Sequence, residues 1–222
     1  MFDLTGRVAL VTGAGSERGI GQAIAKALAI QGATLAVGDI NKDGAETTVK
    51  AIKEAGGDAR AYQIDVTNEG SVHASMDRIV KELGSLDILI NNAGITQPIK
   101  VKDMSLDDWN RVMAVNATGT FLCSRAAAGH MEKAQYGRIV NISSVSAKRG
   151  GGVFGGAHYS AAKAAILGFA KAFAREVAAQ GITVNSITPG LVLTDIRGGV
   201  ESEEEQKRMS KDIPIPRMGM PS

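Results

Sequence analysis

The chain carries one cysteine, Cys123, so no disulfide can form within it and packing must supply its stability. Cys123 sits beside Phe121 and Leu122 among small residues, which reads as a packed thiol rather than a nucleophile. Charge of one sign is also lacking. Lys and Arg total 25 against 23 Asp and Glu, with no long basic block, which excludes a nucleic-acid stripe. No apolar run approaches the length of a membrane span, and the opening Met1-Phe2-Asp3-Leu4-Thr5-Gly6 has no signal-peptide character. The expectation is a soluble cytoplasmic chain. Neither a linker nor an internal repeat interrupts residues 1–222, and that length suffices for one α/β domain with a full core.

What is present is a regular alternation. Apolar runs read as strands at residues 7–12, 33–38, 60–64, 86–90, 138–142 and 182–187. Between them lie helical patterns: one after residue 19 with Ile20, Ile24, Ala27 and Leu28 on its apolar face, then 42–55, 68–83, 106–133 and 158–179. The last buries Ile166, Phe169, Ala170, Phe173 and Val177. Strands joined by crossover helices predict a doubly wound parallel sheet with helices on both faces. Ligands of such sheets bind beyond the carboxyl ends of the strands.

The motifs fall at those ends. A glycine-rich turn, Thr12 to Gly21, follows strand one and opens a helix, where Gly13, Ser16, Gly19 and Ile20 are placed to receive a pyrophosphate. Asp39 ends strand two, positioned to accept both hydroxyls of an adenosine ribose and to repel a 2′-phosphate. Arg18 in the glycine turn pulls the other way, toward NADP. NAD is the favoured cofactor. Asp65 and Val66 end strand three, placed for an adenine; Asn92 and Gly94 follow strand four, where small residues admit a nucleotide.

Tyr159 and Lys163 lie four apart in a helical stretch, hence on one face, one turn apart. A neighbouring ammonium favours the phenolate and should draw the tyrosine below its ordinary value of about 10. Such a phenol exchanges a proton with a carbonyl or alcohol oxygen. His158 adjoins it, but helix neighbours point about 100° apart, so His158 is expected to line the pocket or face solvent.

Taken in order, the Thr-Gly…Gly-Ile-Gly turn, Asn91-Asn92-Ala93-Gly94, Asn116, Ser143-Ser144, Tyr159-x-x-x-Lys163 and Pro189-Gly190 with Thr194 resemble the short-chain dehydrogenase/reductase family over essentially the whole chain. The resemblance implies roles. Tyr159 is the general acid/base. Lys163 holds the nicotinamide ribose and lowers the tyrosine. Ser144, with Ser146 as a rival, bonds the reacting oxygen, and Asn116 positions a water that links Lys163 to solvent. Pro189, Gly190, Val192 and Thr194 contact the nicotinamide. It also implies a homodimer or homotetramer built on the Asn116 and Tyr159 helices.

Three departures from that family stand out. Five residues separate Gly13 from Gly19, more than the usual turn has. Residues 148–157 hold five glycines and lengthen the Ser-to-Tyr interval, which suggests a mobile loop. At Met220-Pro221-Ser222 the sequence stops where relatives continue with a helix and a strand, so a C-terminal strand is expected to be missing from the sheet. Residues 195–213 read as a lid, with Glu203, Glu204 and Glu205 on its solvated face.

The expected reaction is hydride transfer between NAD and a small secondary alcohol or ketone, a polyol, sugar or hydroxy acid, needing no metal. The runner-up is an NADPH-dependent 3-oxoacyl-[acyl-carrier-protein] reductase. Asp39 argues against it, as do Gln135 and Gln180 at positions where those reductases carry docking arginines, although Lys133 restores some charge. A non-catalytic nucleotide sensor on the same fold is the third possibility.

Overall fold

The computed structural model describes residues 2–196, 198–199, 202–211 and 213–221, with the side chains of 152–154 excepted. Six strands form one parallel sheet: β1 (Val8–Thr12), β2 (Thr34–Asp39), β3 (Ala59–Gln63), β4 (Ile88–Asn91), β5 (Gly137–Ile142) and β6 (Ile182–Ile187). Their spatial order is β3-β2-β1-β4-β5-β6, so the chain reverses direction of build between β1 and β4. Every strand starts and ends within two residues of the position its sequence predicts.

Burial explains the continuous apolar runs. All five residues of β1 are buried, with Leu10 registered against Ala36 on β2 and Leu89 on β4. Successive side chains point to opposite faces. Val8 and Leu10 therefore join one core with Tyr62, Met76, Leu89, Met131 and Ile139. Ala9 and Val11 join the other with Leu35, Val37, Ile52 and Ile90. Cys123 lies in the first core at 0% exposure, and burial pushes its thiol up to about 12. It is a packing residue, as the sequence suggests.

The helices are α1 (Ile20–Ile30), α2 (Lys42–Glu54), α3 (Glu69–Leu83), α4 (Leu106–Met113), α5 (Gly119–Ala134), α6 (Ser146–Arg149), α7 (Gly152–Val177) and α8 (Glu203–Ser210). On α1 the buried residues are Gly21, Gln22 and Ala25 while Ala27 is exposed, so the apolar face is turned slightly from the one expected. The expected helix over 106–133 is α4 and α5 joined by a π-helical turn at Ala114–Thr118. Such turns insert one residue and re-aim a side chain. Asn116 lies within this one and is fully buried.

The glycine-rich stretch 148–157, expected to be a mobile loop, instead forms the end of α6 and the first turns of α7. Gly151 N–H donates to Ser160 Oγ at 2.7 Å, which ties this stretch to α7 beside Tyr159. α7 bends at Gly156, whose φ of +72° only glycine adopts readily. A Cβ there would also lie 2.8 Å from His158 Cε1.

Among the described residues β6 forms one edge of the sheet, and beyond it Val192 makes an isolated parallel bridge to Gly219. Arg197, Val200, Glu201 and Asp212 of the 195–213 segment, and Ser222 at the end of the chain, lie outside the described residues. Glu203, Glu204 and Glu205 open α8 and are exposed. No helix among the described residues is long and apolar enough to cross a membrane.

Candidate functional site

A cleft of about 1370 Å³ opens at the carboxyl ends of the strands, over the reversal between β1 and β4. The residues the sequence nominates for NAD and catalysis line it, except Asn116, which is fully buried.

The floor is pinned by polar contacts. Thr12 Oγ1 donates to Ile90 O at 3.3 Å and accepts from the amides of Asn92 and Ala93, each at 3.1 Å. Asn92 Nδ2 donates to Thr12 O and Gly13 O at 3.0 and 2.8 Å. The Asn92 side chain thus braces the glycine turn, and Thr12 is a site residue that sequence reasoning missed. A strand-end threonine gives no signal until its partners across the sheet are known. Gly13 has φ +64°, and a Cβ there would lie 2.6 Å from Ala93 Cα. No other residue type fits that crossing.

At one end of the cleft α1 begins at Gly19. Its first amides receive no side-chain cap and its first turn holds no acidic residue among the described residues. By contrast Asn41, Asn68, Ser105 and Ser202 each cap their helices. An uncapped N-terminus with small residues before it fits a pyrophosphate. Ser16 Oγ, near this end, donates to Asp195 Oδ2 at 3.1 Å, linking the glycine turn to the segment after β6.

Asp39 lines the cleft with its carboxylate accepting from Gly15 N–H at 2.7 Å and Asn41 N–H at 2.9 Å. Arg18 is exposed and does not line the cleft. Asp65 Oδ1 accepts from the amide and hydroxyl of Thr67, and Val66 is buried beside it.

At the other end, three catalytic candidates converge. The Ser144 hydroxyl lies close to the Tyr159 phenol, and Ser144 Oγ accepts from Ser146 N–H at 3.1 Å. Ser143 Oγ turns away and donates to Lys163 O at 2.7 Å. Lys163 Nζ donates to Ile142 O at 2.8 Å and stands 5.7 Å from the centre of the Tyr159 ring. Burial pulls its ammonium down to about 8. Gly155 packs on Tyr159, since a Cβ there would lie 2.6 Å from Tyr159 Cδ1.

Two expectations are corrected here. Spacing predicts a lowered Tyr159, yet its pKa is raised, because burial penalises the phenolate more than the nearby Ser144 hydroxyl favours it. The Lys163 ammonium is committed to the Ile142 carbonyl rather than to the phenol. His158 neither lines the cleft nor faces solvent: it is fully buried, and its Nδ1 accepts from Tyr159 N–H at 2.9 Å. Desolvation lowers its pKa, opposed by nearby Asp108 and aided by Arg111.

Asn116 Nδ2 donates to Ile95 O and Val112 O, both at 2.9 Å. Its buried Oδ1 has no hydrogen-bond partner among the described residues. A Cβ on Gly94 would lie 2.7 Å from that oxygen and 3.3 Å from Lys163 Nζ. Both polar groups therefore border the same small space at Gly94. Pro189, Gly190, Val192 and Thr194 complete the wall after β6. Gln135 and Gln180 lie just before β5 and β6, at the opposite end of the sheet from the cleft.

The sheet order and cleft chemistry define a nucleotide-dependent α/β enzyme, and comparison with known proteins gives the family. Residues 7–205 match the short chain dehydrogenase family. Over 217 residues the chain is 45% identical to an uncharacterized short-chain type dehydrogenase/reductase of Sinorhizobium fredii, covering 97% of this chain and 86% of that one. It is 40% identical over 220 residues to a 3-oxoacyl-[acyl-carrier-protein] reductase of Vibrio cholerae, covering 99% of this chain and 87% of that one. The crystal structure of a short-chain type dehydrogenase/reductase from Mycobacterium marinum superposes with a TM-score of 0.90 at 35% identity, over 99% of this chain and 85% of that one. The chain belongs to the short-chain dehydrogenase/reductase family and is an oxidoreductase of the kind that uses a nicotinamide cofactor.

Proposed function

We propose that this protein is an NAD-dependent dehydrogenase that moves hydride between nicotinamide and a small secondary alcohol or ketone. One observation carries the reading. Tyr159, Ser144 and Lys163 meet in the same cleft whose far end offers the uncapped α1 terminus and the Asp39 carboxylate.

NAD, when bound, supplies or accepts the hydride; the protein's own groups do the rest. The α1 amides and Ser16 would take the pyrophosphate, Asp39 the adenosine ribose, Asp65 and Val66 the adenine, and Pro189 to Thr194 the carboxamide end. Lys163 would take the nicotinamide ribose. Tyr159 holds the proton that the reacting oxygen needs, and Ser144 donates a hydrogen bond to that oxygen as charge develops on it. A tyrosine raised by burial is protonated at neutral pH, as a general acid for ketone reduction must be. For alcohol oxidation the phenolate is required, so activity in that direction should rise with pH while reduction falls. Asn116 Oδ1 and Lys163 Nζ border a space suited to a water that returns the proton to solvent.

NAD rather than NADP is supported by Asp39 in the cleft and Arg18 outside it. The 3-oxoacyl-[acyl-carrier-protein] reductase reading draws its support from relatives at about 40% identity bearing that name. Gln135 and Gln180 do not decide between the two within one chain, because they lie far from the cleft. We further place the protein in the cytoplasm as one domain, with 195–213 closing over the substrate, and as a dimer or tetramer through α5 and α7. There Phe121 is exposed and packs edge-to-face on Phe169, which stacks on Phe173.

Replacing Tyr159 by Phe tests the catalytic assignment. Turnover of every substrate should fall by about 10²–10⁴-fold while NAD binding, read by titration, is retained. Unchanged turnover would end the assignment.

A further inference from the structure

The cleft has a second chemistry besides that of the residues already assigned. Its walls include Ile95, Leu191, Ile196, Met209 and Ile213, a poor surface for a sugar or polyol, whose hydroxyls would be stripped of water against hydrocarbon. The carboxylates that line the cleft are Asp39, Asp65 and Asp195. Asp39 ends β2 and Asp65 follows β3, at the end proposed for the adenosine, and Asp195 accepts from Ser16 at the glycine turn. The cations of the wall are Lys163, already bonded to Ile142 O, and Arg111, Arg149 and Arg217.

These arginines differ in what they already hold. Arg111 donates to Gln97 Oε1 at 2.7 Å and pairs with Asp108 at 3.5 Å. Arg217 reaches Met218 O at 3.5 Å. Arg149 makes no hydrogen bond or ion pair through its guanidinium among the described residues. Its backbone, in contrast, is fixed. Arg149 N–H donates to Val145 O at 3.0 Å, one turn on from the residue after Ser144, and Gly150 ends that turn with φ +77°. The next residue is held by Ser160, adjacent to Tyr159. The neighbouring Lys148, equally exposed, does not line the cleft. An arginine on the wall of the cleft that holds Ser144 and Tyr159, its guanidinium without a partner among the described residues, is suited to a bidentate grip on a carboxylate.

We propose that the substrate is a short hydroxy acid or its oxo acid, an apolar chain ending in a carboxylate that Arg149 binds. This rests on the dehydrogenase reading above and narrows its substrate. It also separates the two candidate chemistries, because an acyl thioester presents the same chain without the charge.

The test uses matched compounds: short 3- and 4-hydroxy acids and their oxo acids, each with its methyl ester. Two readouts are taken on the intact protein, binding of oxo acid or ester to the NADH-loaded enzyme by nicotinamide fluorescence, and turnover of the hydroxy forms with NAD. The acids should bind more tightly than their esters. Arg149→Gln should lower acid affinity and kcat/KM by about 10- to 100-fold, mostly in KM, and change the ester by less than about twofold. Arg149→Lys should restore part of the loss, and a cofactor affinity equal to wild type would show that each variant is folded. Equal binding of acid and ester, or a preference that survives Arg149→Gln, overturns the proposal whatever turnover shows. A preference that depends on Arg149, with no turnover of any compound, upholds the carboxylate grip and instead sinks the dehydrogenase reading.

Discussion

Lys163 is held in the fold at an energetic cost, and that cost is measurable. The residue is 4% exposed, its ammonium is bonded to the Ile142 carbonyl, and burial pulls it down to about 8 where an exposed lysine has 10.5. At about 1.36 kcal/mol per pH unit, keeping it charged at neutral pH costs roughly 3 kcal/mol of folding stability. Lys163→Met removes that cost while conserving much of the volume, and leaves the Ile142 carbonyl without its donor, a loss of about 1 kcal/mol. The variant should therefore be more stable than wild type by about 2 kcal/mol at pH 7, though catalytically dead. The sign with pH follows from proton counting. Between 8 and 10.5 the unfolded lysine still binds a proton that the folded one has released, so wild-type stability rises with pH across that window. The advantage of Lys163→Met should be full below pH 8 and shrink toward pH 10.5. Urea unfolding of both cofactor-free proteins at pH 7 and pH 10 measures it. A variant less stable than wild type at pH 7, or an advantage independent of pH, refutes the reasoning.

Two further outcomes follow from the cofactor end. Asp39→Ser removes the carboxylate that would oppose a 2′-phosphate, and the ratio of kcat/KM for NAD over NADP should fall by about 10- to 100-fold; an unchanged ratio in steady-state assays would place the selectivity elsewhere. Gly13→Ala must force φ +64° on an alanine and bring its Cβ to 2.6 Å from Ala93 Cα. A loss of about 2–4 kcal/mol in chemical denaturation, with NAD affinity lost beyond it, is expected, and wild-type stability would contradict the turn geometry.

The strands were legible because a parallel strand buried on both faces must be apolar throughout, as Val8–Thr12 is. The glycine turn was legible for a related reason: a tight strand-to-helix crossing leaves glycine no substitute at Gly13. What could not be read is which polar group meets which. The Tyr159–Lys163 spacing places both on one face of α7, but the partner of the ammonium is a carbonyl at the end of β5, brought there by the sheet order rather than by α7. Burial, set by the same assembly, then raised the tyrosine that a local charge argument would lower.

The stretch 148–157 shows the same limit from the other side. Five glycines argue for a loop, since each costs helix stability and none fixes a contact. The structure overrides that preference with a few tertiary bonds: Gly151 to Ser160, Ser160 to Gly156, and the buried His158 beneath the bend. Those glycines are what permit the close approach. Gly155 leaves room for the Tyr159 ring and Gly156 for the His158 ring and the Gln97 carbonyl. A stretch that looks pliant in sequence is thus a brace for Tyr159, and the same brace fixes the backbone of Arg149. In sequence Lys148 and Arg149 are two solvated cations in a row; only the position of the cleft tells them apart.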